Sequence, residues 1–342
     1  MRQEIEKIAA VEQNSHATTG PGYVVGVDLG GTNLRLALAD ISGTILARWF
    51  SSTAAIRGPE AVIQLVSRGV KSMLHEVAAP PQTLRSVGIG VPGVTDVDNG
   101  IVIATSYLMG WRDVPLRALV EKELNVPVIV DNDVNMAARG EQWSGSAKDA
   151  RDFVFLAIGT GIGAGIVLNG KLHRGSSWGA GEIGCMLVPG AAEIPANIDD
   201  PGALESMIGG EGIKNQWQKL GSVEGSALPT EFNATEIFDR AVDGNPHAQT
   251  VLRKSATMLA QAIYNISLVL NCPLFVLGGT VGLHPALCDA AQKMLDQWIV
   301  SGSPRLVRST LGTDAQLLGS IRAALETAQP CIIPSAVCAN SD

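Results

Sequence analysis

Apolar and polar positions along the chain fall into two similar halves. In "YVVGVDLGGTNLRLALADISGTILARWFSS" the apolar runs break at Gly30-Gly31 and at "ISG", which predicts three short strands joined by tight turns. Val62, Leu65, Val66, Val70, Met73 and Leu74 then recur at helical spacing, and Pro80-Pro81 ends that helix. "SVGIGVPG" reads as a buried strand with a Pro-Gly turn, "PLRALVEKELN" as a helix, and "VPVIVDND" as a strand ending in acids. The pattern then restarts. "VNMAARGEQWSG" is helical, and "DFVFLAIGTGIGAGIVLNGKLHRG" is a second glycine-interrupted hairpin. A glycine-rich loop region is expected from Gly175 to about Gly212. The helix "TVLRKSATMLAQAIYNISLVLN", the buried strand "PLFVLGGTVG", the helix "HPALCDAAQKMLDQWI", the strand "SPRLVRSTLG" and the helix in "DAQLLGSIRAALE" complete the chain. Val24–Asp40 aligns loosely with Val154–Gly170, so two α/β halves each open with the same kind of hairpin.

Length agrees with that division: 342 residues suggest two domains at roughly 100–200 residues each. A hydrophobic fraction of 46% and a charged fraction of 17% fit large buried cores. The net charge of −8, with no Lys/Arg run, argues against nucleic acid as a partner. Cys185, Cys272, Cys288, Cys331 and Cys338 are scattered, odd in number and free of CxxC spacing. That usage fits free thiols in a reducing cytoplasm. The first twenty residues lack the apolar core of a signal peptide. The longest uncharged stretch, Phe153 to Leu168, holds four glycines and is shorter than a span of ~20 residues, so no membrane segment is expected.

The glycine turns carry the first candidate chemistry. Gly30 and Gly31 admit positive φ and let a ligand approach the backbone closely. Successive amides there, with the Thr32 hydroxyl and neighbouring Asn33, can hold an anion such as phosphate. Asp28 beside a bound phosphate would repel it unless a cation bridged them, which implies Mg²⁺ held through water. The alternative is a plain tight turn capped by Asp28. The second stretch, "GTGIGAG", offers Thr160, Gly161 and Gly163 from the opposite side, with Ile166 where the third glycine of a dinucleotide fingerprint would stand. Gly278-Gly279 follows a buried strand and can receive a flat base. Asp131 and Asp133 both sit where a strand ends and α/β crevices form. Either can serve as a base, or cap the helix starting near Val134. His173 and His284 are lone histidines with no assigned role.

"DLGGTNLR", "GVPGVTDVDNG", "GWRDVPL", "VDNDVNMAARGE", "GTGIGAGI", "GAGEIG" and "LGGTVG" occur in that order. Together they resemble the ROK family of repressors, uncharacterised frames and sugar kinases, over about Tyr23 to Ala324. The resemblance implies an α/β fold of two actin/hexokinase-like, ribonuclease H-like domains with a nucleotide and sugar cleft between them. Residues 1–22 would be a tail, 23–135 a small domain completed by the helix near 314–327, 136–313 a large domain, and 328–342 a second tail.

The activity it implies is ATP-dependent, Mg²⁺-assisted phosphorylation of a hexose 6-hydroxyl, glucose first. N-acetylmannosamine, N-acetylglucosamine, mannose, fructose and allose stay open, as does polyphosphate as donor. A homodimer is expected. By the same resemblance Asp133 is the catalytic base. Gly93, Asn132, Glu182 and Glu205 contact the sugar, and the three glycine stretches hold ATP. Two departures stand out: Cys185 where the family usually has histidine, and Tyr107 where members often have asparagine. "MLVPGAAEIPANIDDPGALES" lacks the family's cysteine cluster, so no structural zinc is expected. Family repressors carry an N-terminal helix-turn-helix, and about 22 residues ahead of the first strand are too few for one. A sugar-binding protein without catalysis is the third reading, and the acid set argues against it.

Overall fold

Each half of the chain builds a five-stranded sheet with the same strand order. The computed structural model describes residues 22–192, 194, 201–223, 231–299 and 302–328. The first half runs β1 (Tyr23–Leu29), β2 (Asn33–Asp40), β3 (Ile45–Ser52), α1 (Pro59–Glu76) and β4 (Leu84–Val91). A small antiparallel sheet follows, β5 (Val94–Asp96), β6 (Ile101–Ala104) and β7 (Arg112–Val114), then α2 (Leu116–Leu124), β8 (Val128–Asn132) and α3 (Asp133–Ser144). The second half runs β9 (Phe153–Ile158), β10 (Ile162–Leu168), β11 (Lys171–His173), α4 (Gly210–Val223), α5 (Ala234–Val242) and α6 (Pro246–Leu270). It ends with β12 (Leu274–Gly278), α7 (Pro285–Trp298), β13 (Arg305–Arg308) and α8 (Ala315–Ala328).

The sheet orders are β3-β2-β1-β4-β8 and β11-β10-β9-β12-β13. In both, the central strand pairs antiparallel with the next strand in sequence and parallel with the strand on its other side. The parallel strands read as continuous apolar runs because helices cover both faces. Residues 24–29 of β1 and 274–278 of β12 are all buried. α1 starts with Pro59 in its first turn and buries Val62, Val66, Val70 and Met73 against the first sheet. β5, β6 and β7, at three or four residues each, are too short to show a period in the sequence. The expected loop from Gly175 to Gly212 is also interrupted: Glu205–Ile208 makes one helical turn and α4 begins at Gly210. Cys272 and Cys288 are buried free thiols and Cys185 is exposed. Cys331, Cys338 and nearly all of both expected tails lie outside the described residues.

Two helices tie the halves together. α3 leaves β8 of the first sheet and packs on β9 and β10 of the second, while α8 leaves the second half and packs on β1 and β4. They cross where Gly140 meets the Ala315 carbonyl and Gly319 meets the Met136 carbonyl; a Cβ at either glycine would overlap that oxygen. Among the described residues no helix is long and apolar enough to cross a membrane.

Candidate active site

The β1–β2 turn closes with the Gly30 amide donating to the Asn33 carbonyl at 2.8 Å. Thr53 fastens it, its amide to the Thr32 carbonyl at 2.9 Å and its hydroxyl to the Gly30 carbonyl at 2.9 Å. Thr32 and Asn33 stay exposed. Contrary to the expectation from sequence, neither Gly30 nor Gly31 has positive φ. Glycine is required at Gly31 because a Cβ there would stand 2.6 Å from the Tyr107 carbonyl.

Asp28 faces Arg35 across the hairpin. Arg35 Nε donates to Asp28 Oδ2 at 2.6 Å. Burial raises the Asp28 carboxyl above its usual range, and the guanidinium only partly offsets this. The premise that a metal alone could balance Asp28 is therefore corrected, since Arg35 already supplies a cation. No group of three His, Cys, Asp or Glu side chains suited to a metal occurs among the described residues. A Mg²⁺ ion carried by nucleotide phosphates and water needs no such cage.

The two acids at the end of β8 and the start of α3 have different partners. Asp131 is fully buried and bonded throughout: Arg174 Nη2 and Nε reach its Oδ2 at 2.6 and 3.0 Å. Asn135 Nδ2 and the Asn132 amide reach its Oδ1 at 3.1 and 2.8 Å. Asn132, rather than either acid, caps α3, accepting from the Val134 and Asn135 amides at 2.9 and 3.1 Å. Its Nδ2 donates to the Gly93 carbonyl at 3.0 Å, which leaves one N–H for a ligand. Gly93 itself sits at φ 98°. Asp133 has only the Val134 amide, at 2.9 Å. Burial pushes its carboxyl up to about 7, and the Asp28 and Glu182 charges add to the shift.

Across the cleft, the Gly159–Gly161 turn is held by the Gly210 amide on the Gly159 carbonyl at 2.7 Å. Thr160 is exposed there. Glu205 Oε2 accepts the Ile162 amide at 3.0 Å. Glu182 is raised by burial and by the Glu205 charge, and the Cys185 thiol by burial and then by both glutamates. Cys185 is thus a neutral thiol beside two carboxylates. Tyr107 joins the two sides. Its backbone packs on Gly31, and a Cβ at Gly161 would overlap its hydroxyl and lie 2.6 Å from Glu205 Oε2. Burial and the charges of Glu205, Asp133 and Glu182 push the phenol up to about 12.

The geometry thus brings Asp28, Tyr107, Asp133, Gly161, Glu182, Cys185 and Glu205 around one space. Three of the glycines expected at the nucleotide are also packed closely on their Cβ side. A Cβ on Gly163 would stand 3.1 Å from Val134 Cγ2 of α3, a tight contact. A Cβ on Gly278 would strike the Phe155 ring, and one on Gly279, at φ 76°, the Ile158 carbonyl. His284 caps α7 and meets Asp239 Oδ1 at 3.1 Å, while His173 is exposed. Arg35 and Arg174 were not singled out in the sequence. Arg35 was within reach of it, because a turn centred on Gly31-Thr32 places residue 35 opposite residue 28. Nothing local marks Arg174 as the partner of Asp131.

A sequence profile described as "ROK family" matches residues 24–326. The chain is 30% identical over 310 residues to a glucokinase of Halalkalibacterium halodurans, covering 87% of this chain and 93% of that enzyme. It is 26% identical over 263 residues to a xylose repressor of Caldicellulosiruptor bescii, covering 75% of this chain and 65% of the repressor. Among solved structures, a ROK family glucokinase from Streptomyces griseus in complex with glucose and AMPPNP superposes with a TM-score of 0.73 at 25% identity. That match covers 89% of this chain and all of the other.

Proposed function

Because the chain belongs to the ROK family and has its two-domain actin-like fold, we propose that it is an ATP-dependent kinase for the 6-hydroxyl of a hexose, glucose first. One observation carries the reading: Asp133, alone among the acids of the strand end, has little hydrogen bonding and a carboxyl held near 7. A general base works best with a pKa near the working pH. Both Asp131 oxygens are already engaged by Arg174, Asn135 and the Asn132 amide.

In this reading Asp133 accepts the proton of the sugar hydroxyl as that oxygen attacks the γ-phosphate in line. Phosphoryl transfer asks mainly for positioning and charge balance. The amides of the Gly30–Asn33 and Gly159–Gly161 turns, with Thr32 and Thr160, lie against the phosphates. Glu182 and Glu205 accept from sugar hydroxyls, and the free N–H of Asn132 donates to one. The acids gathered here, of which Asp28 is bonded to Arg35, fit a Mg²⁺ brought in with the nucleotide, Asp28 holding it through water. When bound, the ion would neutralise charge on the phosphates. The domain division proposed is 23–135 with α8 against 136–313, supported by the packing of α8 on β1 and β4.

A second reading, an N-acetylhexosamine kinase, is favoured by Cys185. This thiol is exposed beside Glu182 and is smaller than the imidazole it replaces, leaving room for a substituent. A coupled ADP-release assay over hexoses and N-acetylhexosamines tests both. Sugar-dependent ADP release, fastest with glucose, is expected. Preference for an N-acetylhexosamine selects the second reading, and a flat response to every sugar refutes the kinase.

A further inference from the structure

A cavity of about 730 Å³ lies outside the cleft, between α3, α8 and the β10–β11 turn. Small-molecule sites occupy roughly 300–1,000 Å³. Arg139, Lys148, Lys171, Arg174 and Arg322 line it, and Trp143 supplies an aromatic wall. Two carboxylates oppose these five cations. Glu326 is shared by Arg139 and Arg322, and Asp131 is taken by Arg174. Lys148 and Lys171 have no ion-pair partner among the described residues. The buried Nε of Arg139 has no hydrogen-bond partner. Three positive charges are therefore in excess here, in a chain whose net charge is −8.

We infer that this cavity binds a small phosphorylated metabolite. A phosphate monoester carries about −1.5 to −2 charges and three acceptor oxygens, which match the surplus cations and their unused N–H groups. The volume exceeds what one phosphate fills, and the Trp143 ring can carry the apolar face of a sugar or base. One wall of the cavity is Arg174, whose guanidinium holds Asp131, two residues before Asp133. The occupant thus sits one ion pair from the strand end that bears the proposed base. None of the lining residues belongs to the cleft, so the inference stands apart from the kinase reading.

Calorimetric titration of the full chain with glucose 6-phosphate, and separately with inorganic phosphate, tests it. The comparison is between wild type, Lys148→Gln/Lys171→Gln, and a control of equal charge change, Lys71→Gln/Lys214→Gln. Any binding in the cleft is common to all three proteins and cancels. Glucose 6-phosphate should bind wild type and control alike and the cavity variant on the order of tenfold more weakly. Inorganic phosphate should bind wild type more weakly than glucose 6-phosphate does. Equal affinity in all three proteins, or no binding to wild type, overturns the proposal. Equal affinity for the two probes overturns the organic body.

Discussion

Asp133→Asn separates the cost of holding a carboxylate in the cleft from its use there. The Asp133 carboxyl moves from 3.8 to about 7, a gap worth about 4 kcal/mol at ~1.36 kcal/mol per pH unit. The side chain is partly open to the cleft, so half of that, about 2 kcal/mol, is the working figure after solvent screening. The folded-state value lies above the unfolded one. Its contribution to wild-type stability is therefore fully present below about pH 4 and is lost as pH rises through 7. Asparagine stays neutral and keeps an oxygen for the Val134 amide. The variant should then melt roughly 4 °C above wild type at pH 8.5, with the difference narrowing toward pH 5. Circular dichroism melts at the two pH values measure this, with turnover followed in the same buffers. Turnover should fall by about 10²–10⁴. A melting offset equal at both pH values would refute the burial argument, and turnover within a few-fold of wild type would refute the base.

Tyr107→Asn clears the phenol from beside Gly161 and Glu205, and should lower KM for glucose several-fold with kcat within roughly twofold; unchanged KM and sugar preference would remove Tyr107 from the specificity set. Arg174→Leu leaves Asp131, whose side chain is 1% exposed, without its cation. That should cost about 3 kcal/mol, partly recovered by adding Asp131→Asn, as read from thermal melts; no recovery would show that the ion pair is not the cause. Gly319→Ala drives a methyl into the Met136 carbonyl at the helix crossing and should cost about 1–3 kcal/mol in urea unfolding. A neutral result there would mean that α3 and α8 separate without penalty.

Both glycine-interrupted hairpins were legible because the apolar pattern on either side of each turn is strong, and both appear as β1–β2 and β9–β10. What the glycines do was not. A glycine that admits a ligand and one that admits a neighbouring backbone look the same in sequence. On their Cβ sides Gly163 and Gly278 face the side chains of Val134 and Phe155, and Gly31 the Tyr107 carbonyl. The different surroundings of Asp131 and Asp133 likewise depend on a partner 43 residues away, Arg174. Asp28 shows the opposite case, where a hairpin register alone would have named Arg35 and weakened the argument for a metal at that carboxylate.

Phosphorus NMR of the wild-type reaction with ATP, Mg²⁺ and glucose tests the account most directly. A new phosphate-monoester resonance coupled to the C6 protons, growing in step with ADP, is the predicted result, with none from Asp133→Asn although that variant still binds glucose. ATP turned over to inorganic phosphate without a sugar phosphate, or the same product at the wild-type rate from Asp133→Asn, would contradict it.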